Sequence, residues 1–126
     1  MLIMKDRLYT RSHEWVLFTD DTTARIGLTD FAQDSMGGVV FVELPTPGGA
    51  VTVEESFAEV ESVKAVSEVY SPVTGTVSAV GGELADTPER INSEPYEAWL
   101  IEVKDITART ELLSAEEYEA LCAGEV

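Results

Sequence analysis

The sequence predicts an all-β protein of the sandwich or barrel type, with short peripheral helices and a helix near the C-terminus. Short runs of branched and aromatic residues recur between glycine and proline positions, which is typical of strands joined by turns. Residues 73–80 alternate between apolar and polar side chains, as expected for a strand with one buried face. The chain has 126 residues, 44% of them hydrophobic and 25% charged, so we expect one domain over residues 1–126.

The strand predictions follow from these runs in chain order. They cover residues 9–18, 23–28, 39–44, 51–53, 56–63, 66–70 and 73–80, with a last strand around Trp99, Ile101 and Val103. The run at 39–44 is the strongest, because it is rich in valine and phenylalanine and is ended by Pro45. Gly75 is a small residue within its strand, which indicates a close approach of two backbones.

Three short helices are predicted, at residues 30–36, 87–91 and 114–122. Asp30 and Gln33 have the spacing of a capping box, and Gly37 supplies a stop after the first helix. Ser114 and Glu117 have the same capping-box spacing at the start of the last helix.

The net charge of −16 restricts the partners of this protein. It argues against nucleic acid and against anionic membrane surfaces, because both require a basic protein surface. The apolar runs are too short for a transmembrane span. The single cysteine, Cys122, excludes an internal disulfide and fits a reducing compartment. We therefore expect a cytoplasmic protein, although a mature mitochondrial protein would have the same features.

Conventional catalysis has little support in the sequence. His13 is the only histidine, and no nucleophile motif or phosphate-binding loop accompanies it. A metal site would need several histidine, cysteine or carboxylate ligands at suitable spacing. We expect a protein without catalytic residues and without a metal site.

Lys64 is the exception, because it is the only basic residue in the stretch 26–89. The flanking residues mirror one another around Lys64 and Ala65, which predicts a β-hairpin with this pair at its tip and with Glu61 opposite Glu68. An exposed lysine at a turn is usually only a solvated charge. Here, however, the tip lacks a residue that favours positive φ, and two like charges face each other. Both features are unfavourable for a β-hairpin, and a functional role of this segment would explain them.

The pentapeptide Glu61-Ser62-Val63-Lys64-Ala65 resembles the lipoyl-attachment motif of the glycine cleavage system H protein family. Further similar segments occur in the same order along nearly the whole chain: residues 12–16, 26–30 with 32–34, 38–45, 71–75, and 91–92 with 95–96. The sequence departs from the family at 96–99, where a glycine that commonly precedes the tryptophan is absent, and at Phe31, where tyrosine or histidine is frequent.

The resemblance implies a barrel-sandwich hybrid fold and a non-catalytic carrier with lipoic acid joined to Lys64. Glu61, Ser62, Val63 and Ala65 would then form the context that a lipoate ligase or transferase reads. The implied partners are the glycine decarboxylase P protein, the aminomethyltransferase T protein and the dihydrolipoyl dehydrogenase L protein. The carrier would move the aminomethyl group of glycine from the P protein to the T protein, and the L protein would reoxidise its dithiol.

The family also has a surface cleft that shelters the loaded arm. Ser12, Glu14 and Glu68 resemble residues of that cleft, and the two carboxylates would hold the amine at the end of the arm. Three alternatives remain open at this point: a lipoyl or biotinyl domain of another complex, a relay that donates lipoate to other complexes, and a plain β-domain used only for protein binding.

Overall fold

The computed structural model describes residues 1–125; Val126, the last residue of the predicted domain, lies outside this range. The described strands form two sheets. The larger sheet has the order β1-β2-β3-β9-β8-β5, formed by Leu8–Tyr9, Glu14–Asp20, Thr23–Leu28, Ile101–Arg109, Val73–Val80 and Ala50–Val51. The smaller sheet has the order β4-β6-β7, formed by Val39–Glu43, Ser56–Ser62 and Val66–Tyr70.

The two sheets remain separate and do not close into one barrel. Neighbouring strands in both sheets are antiparallel. Val42, Val60 and Val69 of the smaller sheet pack in one apolar cluster with Leu84 and Leu100, which removes this face of the sheet from water. Two antiparallel sheets with peripheral helices confirm the predicted barrel-sandwich hybrid.

Gly75 lies at a close approach of β8 and β9. A Cβ atom on this residue would lie 2.6 Å from Cγ1 of Val103 and 2.7 Å from the carbonyl oxygen of Lys104. The predicted close approach of two backbones is therefore confirmed. Any larger side chain at Gly75 would force β8 away from β9.

Of the three predicted helices, the first has the predicted bounds, whereas the second and third begin and end at other residues. They are α1 at Asp30–Met36, α2 at Arg90–Ser93 and α3 at Ala115–Gly124, with an unpredicted 3-10 turn at Gly82–Ala85. The N-cap of α1 is Thr29, whose hydroxyl accepts from the Ala32 amide, so the prediction of a cap at Asp30 is wrong. The Ser114 and Glu117 capping box is confirmed.

The predicted strand at 9–18 is interrupted by a turn. Residues 10–13 leave the sheet between β1 and β2, and His13 takes a positive φ of 73° that a continuous strand does not allow. His13 Nδ1 lies 2.7 Å from the Tyr118 hydroxyl, which also contacts Thr29. This hydrogen-bonded chain fixes α3 against the turn, so His13 has a structural role.

Within residues 1–125, no helix combines the length and the apolar character needed to cross a bilayer.

Candidate functional site

Lys64 lies on the hairpin that joins β6 to β7, but the register of this hairpin differs from the prediction. Glu61 lies opposite Val66 and Glu59 lies opposite Glu68, so the tip consists of Val63 and Lys64. The predicted tip at Lys64 and Ala65, with Glu61 opposite Glu68, is therefore wrong by a shift of two residues. Such a shift leaves every side chain on its original face of the sheet.

The Ser62 hydroxyl explains this register. It accepts from the amides of Lys64 and Ala65, at 3.2 and 3.3 Å, and it lies 3.2 Å from the Ala65 carbonyl oxygen, to which it donates. The Ser62 amide also donates to this oxygen, at 2.8 Å. A buried serine side chain thus closes the turn without a residue of positive φ at the tip.

The hairpin tip is also held from outside. The Val63 amide donates to the Gly38 carbonyl oxygen at 3.0 Å. Asn92 fixes the segment that supplies this acceptor: its side-chain amide donates to the Gly37 carbonyl oxygen at 3.0 Å, and its oxygen accepts from the Val39 amide at 2.8 Å. The lysine is therefore carried on a backbone with few degrees of freedom.

The Lys64 side chain is exposed at this tip. Its alkyl chain passes Gly37, where a Cβ atom would lie 3.3 Å from Cε of the lysine. Among residues 1–125, no carboxylate forms an ion pair with the Lys64 ammonium group. The amine is thus open to a reagent or an enzyme that approaches from solvent.

A cleft of about 630 Å³ lies beside the turn at residues 10–13. Glu14 forms its buried floor, with 2% of its surface exposed. The hydroxyls of Thr10 and Ser12 both donate to Oε1 of Glu14, each at 2.6 Å. The other oxygen, Oε2, has within residues 1–125 only a long contact of 3.5 Å from the Tyr70 amide. One carboxylate oxygen is therefore saturated, and the other retains capacity to accept.

The structure brings Ser12 and Glu14 together in this cleft, but Glu68 is not part of its lining. Glu68 is exposed and accepts from the Tyr70 hydroxyl at 3.1 Å, and Tyr70 does line the cleft. This bond raises the pKa of Tyr70, because it favours the protonated phenol. Thr10 and Tyr70 were missed in the sequence, since neither residue type carries a signal there.

Burial raises the pKa of Glu14 above its ordinary value of 4.5, and the hydrogen bonds from Ser12, Thr10 and the Tyr70 amide oppose this rise. Between the ordinary value and the raised one, the folded state binds a proton that the unfolded state has lost. The contribution of Glu14 to the free energy of unfolding is therefore fully present below the pKa that Glu14 has in the unfolded state. It is lost as the pH rises through the pKa that Glu14 has in the folded state.

We expect Glu14→Gln to stabilise the fold at neutral pH, because glutamine fills the same space without a buried charge. The gain in the free energy of unfolding should shrink as the pH falls through the folded pKa of Glu14. Urea unfolding of both proteins at neutral pH and near pH 4.5 measures this difference. A gain that grows towards acid pH would contradict the assignment.

The fold and the site define a barrel-sandwich hybrid domain that presents one lysine on a rigid hairpin, the arrangement expected of a carrier domain. The family model described as glycine cleavage H-protein matches residues 7–125. The chain belongs to this family, which is a family of carrier proteins.

Individual relatives agree with this assignment. The chain is 56% identical over 119 residues to the glycine cleavage system H protein of Lachnoclostridium phytofermentans, covering 94% of each chain. It is 51% identical over 123 residues to that of Oceanobacillus iheyensis, covering 95% of this chain and 97% of the relative. The crystal structure of a glycine cleavage system H protein from Mycobacterium marinum superposes with a TM-score of 0.90 at 40% identity, covering 96% of this chain and 99% of the other.

Proposed function

We propose that this protein is a lipoyl-bearing carrier of the glycine cleavage system, with lipoic acid joined by an amide bond to Nζ of Lys64. The observation that supports this most is the exposed Lys64 amine, which forms no ion pair with residues 1–125 and lies on a fixed tip within the family's attachment motif. In this proposal Ser62 shapes the tip, and Glu61, Val63 and Ala65 are the exposed neighbours that a lipoate ligase or transferase reads.

Attachment needs an activated acyl donor, such as the acyl adenylate that a ligase forms from lipoate and ATP. The neutral Lys64 amine attacks the acyl carbon, the C–N bond forms as the bond to AMP breaks, and one proton passes to solvent. The reaction removes the positive charge of Lys64. The exposed tip supports this step, because Nζ needs no displacement of protein groups to reach the donor.

In this proposal the cleft holds the free end of the arm. When bound, lipoate supplies a dithiolane that accepts the aminomethyl group of glycine together with two electrons. A primary ammonium at the end of the arm would find a buried carboxylate in Glu14 and a hydroxyl in Ser12. Oε2 of Glu14 is the atom with free capacity to accept from it, and Glu68 would add negative charge beside Tyr70. The cleft walls would keep water from the loaded end.

The proposed partners are the P protein, from which the carrier receives the aminomethyl group, the T protein, to which it passes that group, and the L protein, which reoxidises the dithiol. We assign no catalytic residue to this chain, because binding and sheltering are the roles that its site supports. A single buried cysteine fits the reducing cytoplasm as the place of action.

Intact-mass measurement of the protein from cells supplied with lipoate tests the attachment. We expect a gain equal to one lipoyl group per chain, and peptide mapping should place it on Lys64. Peptide mapping can assign the modified lysine without ambiguity, because Lys5 and Lys104 are the only other lysines. A double variant, Lys5→Arg with Lys104→Arg, is the control and should gain the same mass. An unmodified Lys64 under these conditions would remove the proposal.

A further inference from the structure

Exposed apolar side chains are concentrated around Lys64. Within residues 1–125, the exposed large hydrophobic residues other than Met1 and Leu2 all belong to the smaller sheet or its hairpin. Val40, Phe41, Val63 and Val66, here called the tip face, are 51%, 53%, 72% and 60% exposed. Monomeric proteins rarely leave such a group in water unless the surface is used for binding.

The strand register explains how the tip face forms. Phe41, Glu61 and Val66 lie in one row across β4, β6 and β7, with their side chains on the outer face of the sheet. A bulge between Val39 and Phe41 turns Val40 outward as well. The bulge thus exposes two adjacent apolar residues where regular alternation would bury one of them.

An acidic row lies next to the tip face, on the same outer face of the smaller sheet and two residues further from the hairpin tip along each strand. Glu43 is opposite Glu59, and Glu59 is opposite Glu68, so three carboxylates cross the sheet in register. Like charges in directly opposite positions destabilise a sheet, and the sheet would be more stable with neutral or basic residues at some of these positions. The arrangement suits a binding surface that meets positive charge, because a basic partner would relieve the repulsion.

From this geometry we propose that the tip face and the acidic row dock the enzyme that acylates Lys64. The inference rests on the proposed attachment of lipoate. An enzyme that forms the amide must bring its acyl carbon to Nζ and therefore must cover the tip, whereas partners that act on the far end of a long arm need not. On the enzyme, the matching surface is an apolar recess that accepts Phe41 and Val66. Lysine or arginine side chains beside this recess face the acidic row.

The test is the rate of lipoylation of the purified unmodified protein by a lipoate ligase with ATP and lipoate, followed by mass. Phe41→Ala is expected to lower kcat/KM at least about tenfold, mainly through KM, because a central aromatic residue dominates many interfaces. Leu2→Ala is the matched control, since Leu2 is 57% exposed and belongs neither to the smaller sheet nor to its hairpin. Thermal unfolding of each variant establishes that it is folded.

Charge is tested with a second pair of variants. Glu43→Gln with Glu59→Gln should lower kcat/KM about threefold at low salt and flatten its salt dependence, because long-range attraction is lost. Glu116→Gln with Glu119→Gln removes the same charge from the exposed side of α3 and should have no such effect. Equal effects of the two pairs would overturn the proposed role of the acidic row.

The outcomes separate this inference from the proposed function. Wild-type protein that gains no lipoyl group would overturn both. Phe41→Ala protein that is lipoylated at the wild-type rate would overturn the docking proposal alone. If this variant were lipoylated normally but slowed glycine cleavage, the docking proposal would also be overturned, because the tip face would then bind a different partner.

Discussion

Replacement of Lys64 by arginine is expected to abolish glycine-dependent activity in a system reconstituted from the P, T and L proteins. Arginine preserves the positive charge and most of the length of the side chain. Its guanidinium group stays protonated, however, and has no nucleophilic lone pair with which to form the amide. The exchange of glycine carboxyl carbon with bicarbonate and the release of ammonia measure the loss.

The fold should tolerate this change, because the Lys64 side chain is exposed and forms no ion pair within residues 1–125. We expect the free energy of unfolding to change by less than about 0.5 kcal/mol, as for most surface substitutions. Lys104→Arg is the matched control, since it replaces another exposed lysine by arginine and should remain fully active. Activity retained by the Lys64→Arg protein would refute the assignment of the attachment site.

The hairpin illustrates what a sequence pattern determines. The strands at 56–63 and 66–70 and the position of Lys64 between them were predicted from local residue types. The register was not, because the residues mirror one another by type, and a pairing shifted by two residues leaves the same faces buried. The choice depends on the Ser62 hydroxyl and on the Gly38 carbonyl oxygen, which the fold brings to the tip.

Strand β4 gives a second case. Its run of apolar residues was predicted to be a strand, and that prediction is confirmed. Alternation alone would place Val40 and Val42 on one face, yet Val42 is buried and Val40 is exposed. The bulge that separates them arises from pairing with β6, so it is a tertiary feature that the run itself does not contain.

The cleft is the part that is hardest to predict. Ser12 and Glu14 were assigned to it through the family resemblance, whereas Thr10 and Tyr70 were not identified. The Tyr70 amide meets the Glu14 carboxylate across 56 residues of sequence, and no local pattern encodes a contact of this range. The predicted strand at 9–18 also concealed the turn at residues 10–13, which forms one wall of the cleft.

In the proposed function, the Glu14 carboxylate connects the stability of the protein with the role of the cleft. Burial of the Glu14 charge opposes folding at neutral pH, and among the described residues only Thr10 and Ser12 donate short hydrogen bonds to it. A glutamine would satisfy both hydroxyls at lower cost to stability. A positively charged ligand in the cleft, as the proposed function requires, would explain a charged group at this position.

Glu14→Gln is accordingly expected to expose the loaded arm to water. In the wild-type protein the Glu14 carboxylate would hold the terminal ammonium by a charge-assisted hydrogen bond, and such a bond contributes roughly 1.5–3 kcal/mol. Its loss should speed hydrolysis of the loaded carrier by about tenfold to a hundredfold. The measurement is the rate of ammonium release from lipoylated, loaded protein after glycine and the P protein have been removed.

Two further variants make the result specific. Glu68→Gln should have a smaller effect than Glu14→Gln, because Glu68 is exposed and lies outside the lining of the cleft. Glu54→Gln is the matched control: Glu54 lines the same cleft but is exposed to solvent, so its charge is screened and its loss should leave the rate unchanged. Unchanged hydrolysis in a protein that carries both Glu14→Gln and Glu68→Gln would show that the cleft does not hold the ammonium, while the attachment of lipoate to Lys64 would stand.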